Sequence, residues 1–123
     1  MSVLLYSTPE KGPGERLHAV IKTFVPKRKI ELLGTIQSLS DRLREPKHGE
    51  DIAILLAANR DELEDLLSVS DFLSDLRVVL VLPDREDDTI AKGHTLRPRF
   101  MSYADSSFID VAAVLSKMLA AAN

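Results

Sequence analysis

The sequence predicts an α/β fold, a three-layer α/β/α sandwich built on a five-stranded parallel sheet of order 2-1-3-4-5. Two continuous apolar runs, Asp51-Ile-Ala-Ile-Leu-Leu-Ala-Ala-Asn59 and Arg77-Val-Val-Leu-Val-Leu82, have the composition of strands covered on both faces. Segments with apolar residues at helical spacing alternate with these and with three shorter strand-like runs. Parallel strands need crossovers, and the crossovers are right-handed, so alternation implies helices on both faces of the sheet.

The first strand is Val3 to Ser7, broken by Thr8-Pro9 and a loop through Lys11-Gly-Pro-Gly14. Leu17, Val20, Ile21 and Phe24 then form one helical stripe, which predicts a helix over Glu15 to Val25 stopped by Pro26. Lys29-Ile-Glu-Leu-Leu33 alternates polar and apolar up to Gly34 and suits an edge strand. Thr35 is placed to cap a second helix, with Ile36, Leu39 and Leu43 inward and Pro46 and Gly49 at its end. The run 51–59 is the central third strand.

Leu63, Leu66 and Leu67 mark a third helix, with Glu62, Glu64 and Asp65 assigned to its solvent side. A break near Ser68-Val-Ser-Asp71 precedes Phe72, Leu73 and Leu76, and 77–82 is the fourth strand. The acidic connector Asp84-Arg-Glu-Asp-Asp88 leads to a short helix over Thr89 to Lys92, with Gly93 in the C-cap position. Pro98 to Tyr103 reads as the fifth strand. Ser107-Phe-Ile-Asp110 has the form of a capping box for a last helix that turns Phe108, Ile109, Ala112, Leu115 and Leu119 inward.

A chain of 123 residues is expected to form one domain, and 45% hydrophobic with 28% charged residues is ordinary globular usage. The net charge of -3 supplies no basic footprint for nucleic acid. Cys is absent, which rules out disulfides and thiolate chemistry. The amino terminus offers neither a basic leader nor an apolar run long enough for a span, so a cytoplasmic, membrane-free protein is the expectation.

In a sheet of this order, ligands sit outside the carboxyl ends of the strands, beside the switch point between strands one and three. The candidate binding surface is therefore Ser7, Thr8, the 10–14 loop, Asn59, Asp84, Tyr103 and Asp105. The 7–14 loop could cradle a phosphate on its amides, but it matches neither G-x-x-x-x-G-K-[ST] nor G-x-G-x-x-G, and its prolines remove donors. Asp84, Glu86, Asp87 and Asp88 could hold a cation with Asp105, although carboxylates before a helix more often serve its dipole. His18, His48 and His94 have no ligand spacing, and His18 suits a boundary position beside the first helical stripe. G-x-S-x-G is absent. Lys27-Arg-Lys29, Arg97 and Arg99 keep strand starts solvated or meet an acidic partner.

In size and in the order of its elements the chain resembles the receiver domains of two-component response regulators, which are flavodoxin-like in fold. Asp51-Ile-Ala-Ile-Leu-Leu56 looks like their third strand, Arg77 to Leu82 like the fourth, and Arg99-Phe-Met-Ser-Tyr103 like the fifth. The signature residues are missing. Where a receiver has paired acids after strand one, this chain has Ser7-Thr8-Pro9 with Glu10. Where the phosphoacceptor aspartate closes strand three stand Leu56, Ala57 or Ala58. Leu82 or Pro83 takes the place of the Ser or Thr after strand four, and Tyr103 that of the Lys after strand five. Phosphoryl transfer to a carboxylate needs nucleophile, metal and cation together.

The resemblance thus implies a pseudo-receiver: a non-catalytic, phosphorylation-independent signalling or regulatory module, without metal or cofactor, that acts through a protein partner. A homodimer through helix four, strand five and helix five is the arrangement receivers commonly use, and an exposed apolar patch there would support it. Phe100 lies near the receiver's switching aromatic, with core packing the plainer role. The alternative is a small-molecule or nucleotide-binding flavodoxin-like module using the 7–14 loop.

Overall fold

Five strands, β1 (Val3–Tyr6), β2 (Ile30–Leu33), β3 (Ile52–Leu56), β4 (Arg77–Leu82) and β5 (Phe100–Tyr103), form one all-parallel sheet of order β2-β1-β3-β4-β5. The architecture comes from a computed structural model that describes residues 3–8, 12–25, 29–45 and 52–121. Residues 9–11 of the strand-one loop, Lys27 and Arg28, Pro46 to Glu50, and Asp51 lie outside the described residues. The expected fold class and strand order are those observed.

Side chains alternate across a strand, so each strand feeds two cores. Val3, Leu5, Ile52, Ile54, Leu56, Val79 and Val81 point to one face. There α1 (Pro13–Phe24) covers them with Leu17 and Ile21, and α5 (Ile109–Ala121) with Val111 and Leu115. Leu4, Tyr6, Ala53, Leu55, Val78, Leu80 and Leu82 point to the other face. That face is closed by α2 (Ile36–Arg44), α3 (Arg60–Ser68) and α4 (Asp87–His94), through Leu39, Leu43, Leu63, Leu66 and Ile90. All of β3 is buried, as is β4 after Arg77, which is why their sequences are continuously apolar rather than alternating. No helix among the described residues is long and apolar enough to cross a membrane.

The helix ends follow local rules, with departures from the expected positions at α1, α4 and α5. Thr35 closes a capping box with Ser38: its hydroxyl accepts from the Ser38 N–H, and the Ser38 hydroxyl accepts from the Thr35 N–H. α1 starts at Pro13, earlier than its apolar stripe suggests, because proline is suited to the first turn. Gly93 lies inside α4 rather than at its cap, and the cap is Thr95. A Cβ at Gly93 would sit 3.1 Å from Leu82 Cδ2 and 3.2 Å from Leu80 Cδ2, so this glycine permits close helix–sheet contact. The Ser107–Asp110 box does not form: Asp110 accepts instead from the Ser102 hydroxyl and the Val111 N–H.

Phe108, in the left-handed region at φ 64, is fully buried just ahead of α5, and the helix then sends Ile109 into solvent at 73% exposure. Val111 takes the inward position expected of Ile109. Between α3 and β4 the expected break is a 3-10 turn, Ser70–Leu73.

Candidate functional site

The carboxyl ends of β1 and β3 meet at a carboxylate. α3 begins where Asn59 caps it: the Asn59 side chain accepts from the Glu62 N–H at 2.9 Å, and Asp61 and Glu62 complement the positive end of the helix dipole. Glu62 was expected on the solvent side, yet it is only 8% exposed. Its carboxylate accepts from the Thr8 hydroxyl (3.3 Å), the Ala58 N–H (3.3 Å) and the Asn59 amide (3.3 Å). A buried carboxylate is tolerated where donors replace water, and here they come from the segments after β1 and β3. Tyr6, also buried, packs in the same core face. Its phenol is raised above the ordinary 10.0, first by burial and then by the negative charges of Glu62 and Asp65.

The expected site residues fall into two groups at this edge of the sheet. Thr8 and Asn59 gather around Glu62, while Ser7 lies on the α1 side against Gly14; its N–H donates to the Leu33 carbonyl and so ties this end of β1 to β2. Asp84, after β4, is joined to them through Arg60, the first residue of α3, whose Nε donates to Asp84 at 3.2 Å and whose guanidinium lies 3.5 Å from Asp88. The Asp84 carboxyl is held below the usual carboxylate range, by the Glu86 N–H first. The Thr89 hydroxyl is buried and outside hydrogen-bond geometry with any described group, so the contacts that hold Asp84 down are the Glu86 N–H and Arg60.

Tyr103, the last residue of β5, and Asp105 just beyond it form the second group around Arg85. Its guanidinium lies 4.3 Å above the Tyr103 ring and donates to Asp105 at 2.6 Å. The Asp105 carboxyl is lowered chiefly by that bond. Arg60, Glu62 and Arg85 were missed in the sequence. Only Glu62 carried a usable signal, since Asn59-Arg-Asp-Glu62 has the capping-box form. The two arginines find their partners across loops that no spacing rule connects.

Within the acidic connector, Asp84 and Asp88 share Arg60, and among the described residues no three His, Asp or Glu side chains converge as a metal-binding group. His18 is half-buried on α1 as expected and lines a cleft of about 330 Å³ with Leu5, Ser7, Thr8, Leu32 and Gly34. Gly14 sets the depth of this cleft, because a Cβ there would lie 2.6 Å from Ser7 Oγ. Phe100 is half-buried against the α1–α5 core.

The large exposed hydrophobic side chains among the described residues are Phe24, Leu32, Phe72 and Ile109, so α4 and β5 contribute none. No family model and no curated protein sequence matches the chain.

Proposed function

We propose that the chain is a non-catalytic, phosphorylation-independent regulatory module, a pseudo-receiver that works through contacts with a protein partner. The observation that carries this reading is the Glu62 knot. At the strand ends where a receiver-like scaffold would do chemistry, the nearest buried carboxylate is already held by Thr8, Ala58 and Asn59. Asp84 and Asp105 are engaged by Arg60 and Arg85. These contacts take up part of each carboxylate's acceptor capacity in joining loops, which supports a structural role for them. A cytoplasmic setting in two-component signalling belongs to the same proposal, supported by a chain without cysteine. The net charge of -3 argues against nucleic acid as the partner.

The test is incubation with acetyl phosphate, or with beryllium fluoride and Mg²⁺, followed by intact mass and amide spectra. Both should remain unchanged. A covalent aspartyl phosphate, or shifts concentrated at the ends of β1, β3 and β4, would overturn the proposal.

One observation favours a second reading, binding of a small molecule or nucleotide. The cleft beside Ser7, Thr8 and His18 is large enough for a small ligand and opens where α1 begins. Ligands specific for the folded state raise the melting temperature, so a thermal-shift screen with nucleotides and flavins decides it. Stabilisation that is lost on His18→Ala would favour this reading; a flat screen would remove it.

A further inference from the structure

Between the turn that leads into β4 and the turn that leads into β5 lies a cavity of about 290 Å³, at the end of the sheet opposite the strand carboxyl ends. Its floor is apolar, with Leu73 and Leu96 buried and Leu76 half-buried. Its rim is polar and carries one charge of each sign: Asp71 comes from the 3-10 turn, and Arg97 from the segment after α4. Both residues are exposed, and the two do not meet. Among the described residues, neither the Asp71 carboxylate nor the Arg97 guanidinium has a hydrogen bond or an ion pair. The charges at the other end of the sheet behave differently, since Arg60 pairs with Asp84 and Arg85 with Asp105.

Arg97 is also held in a strained backbone. It stands at φ 53, in the left-handed region that glycine adopts freely, just after a helix end where glycine is the common choice. Pro98 follows it and narrows its conformations further. A strained residue of this kind persists where something else requires its side chain. The helix dipole is not that requirement, because Lys92 and His94 already place basic groups in the last turn of α4.

We propose that this cavity binds a free α-amino acid with an apolar side chain. The ligand carboxylate lies on Arg97, its ammonium on Asp71, and its side chain on Leu73, Leu76 and Leu96. Two rim hydroxyls suit a ligand that donates. The Ser74 hydroxyl gives its proton to the Asp71 carbonyl, and the Thr95 hydroxyl gives its own to the Lys92 carbonyl, so toward a ligand both can only accept. A phosphate would face Asp71, and an amine without a carboxylate would face Arg97. The zwitterion is the class that meets no like charge.

A volume of about 290 Å³ is at the lower end for ligand sites, which suits one amino acid rather than a nucleotide. The inference goes beyond the proposed function and does not depend on it. The cavity is built from the turns that precede β4 and β5, whereas that reading rests on the segments that follow the strands.

Amide shifts of the full chain, titrated with L-leucine, leucinamide and N-acetylleucine to about 20 mM, test it, because ligands of about nine heavy atoms bind in the millimolar range. Leucine should shift Ser70, Asp71, Leu96 and Arg97, and should bind about three- to fivefold tighter than either analogue, as partly exposed charge contacts allow. Asp71→Asn should lose the preference over N-acetylleucine and keep that over leucinamide; Arg97→Gln should do the reverse. Arg97→Gly should weaken leucine binding while raising the melting temperature by about 2–4 °C, since glycine relieves the backbone. Asp71 and Arg97 are exposed, so these variants keep the fold. Shifts absent from these residues, analogues as tight as leucine, or preferences indifferent to both substitutions would overturn the proposal. So would a fall in melting temperature on Arg97→Gly, which would show the arginine holding the fold rather than a ligand.

Discussion

Replacing Glu62 with alanine removes the acceptor shared by Thr8, Ala58 and Asn59, and its cost can be worked from the geometry. The three closest bonds are each 3.3 Å, beyond the usual 2.7–3.2 Å range for an N–H donor. Each therefore contributes less than the roughly 1.5–3 kcal/mol of a good bond to a charged group; about 0.5 kcal/mol apiece is reasonable. The Ala58 N–H, half-buried, is then left without its acceptor, which adds about 1 kcal/mol. The sum is a loss of about 2–3 kcal/mol, offset by the desolvation that the carboxylate no longer suffers, so about 2 kcal/mol net.

For a chain of this size that is a fall of roughly 6–10 °C in melting temperature, and urea unfolding at constant slope gives the free energy directly. Glu62→Gln keeps the shape and one acceptor oxygen and should lose about half as much. An alanine variant within about 0.5 kcal/mol of the parent, the range of ordinary surface substitutions, would refute the reasoning and make the knot a passive contact.

Three further outcomes are expected. Asp105 titrates below its ordinary 3.8 because Arg85 donates to it, so the stability it contributes is present above that value and is lost as pH falls through the lower folded value; Arg85→Ala should return the Asp105 carboxyl resonance toward ordinary titration. Tyr6 is raised, so its contribution is intact below 10.0 and disappears as pH rises toward the higher folded value. Tyr6→Phe should flatten that alkaline fall. Gly93→Ala should destabilise by about 1–2 kcal/mol in chemical denaturation, since overpacking against Leu80 and Leu82 outweighs the helix propensity that alanine adds.

What could be read from the residues was the part governed by continuous patterns. β3 and β4 are legible because burial on both faces leaves no polar position, and the strand order follows from alternation with helices. Phe108 and Ile109 show where periodicity fails. Counting from Phe108 puts Ile109 on the core side, but Phe108 reaches the core from a left-handed residue outside the helix, and the true stripe begins at Val111. Glu62 fails for a different reason. Its spacing from Leu66 is one helical turn, so geometry already put it on the buried row, and only its charge suggested water. Whether a carboxylate is buried depends on donors from Thr8 and Ala58, and those are tertiary facts. The candidate residues at the strand ends were found because topology alone places them; their pairing through Arg60 and Arg85 was not.

The position of β2 has a consequence for how the molecule comes apart. This strand has four residues, a single neighbour in β1, and Leu32 standing 58% exposed beside α1. The β3–β4 pair, by contrast, is sealed beneath helices on both sides. Opening free energies within one domain range from near zero to the global value. The sheet should therefore fray from its edges: amides of β2, and of β5 at the opposite edge, exchange with solvent through partial openings that leave β3 and β4 intact, and the central pair exchanges only when the whole chain unfolds.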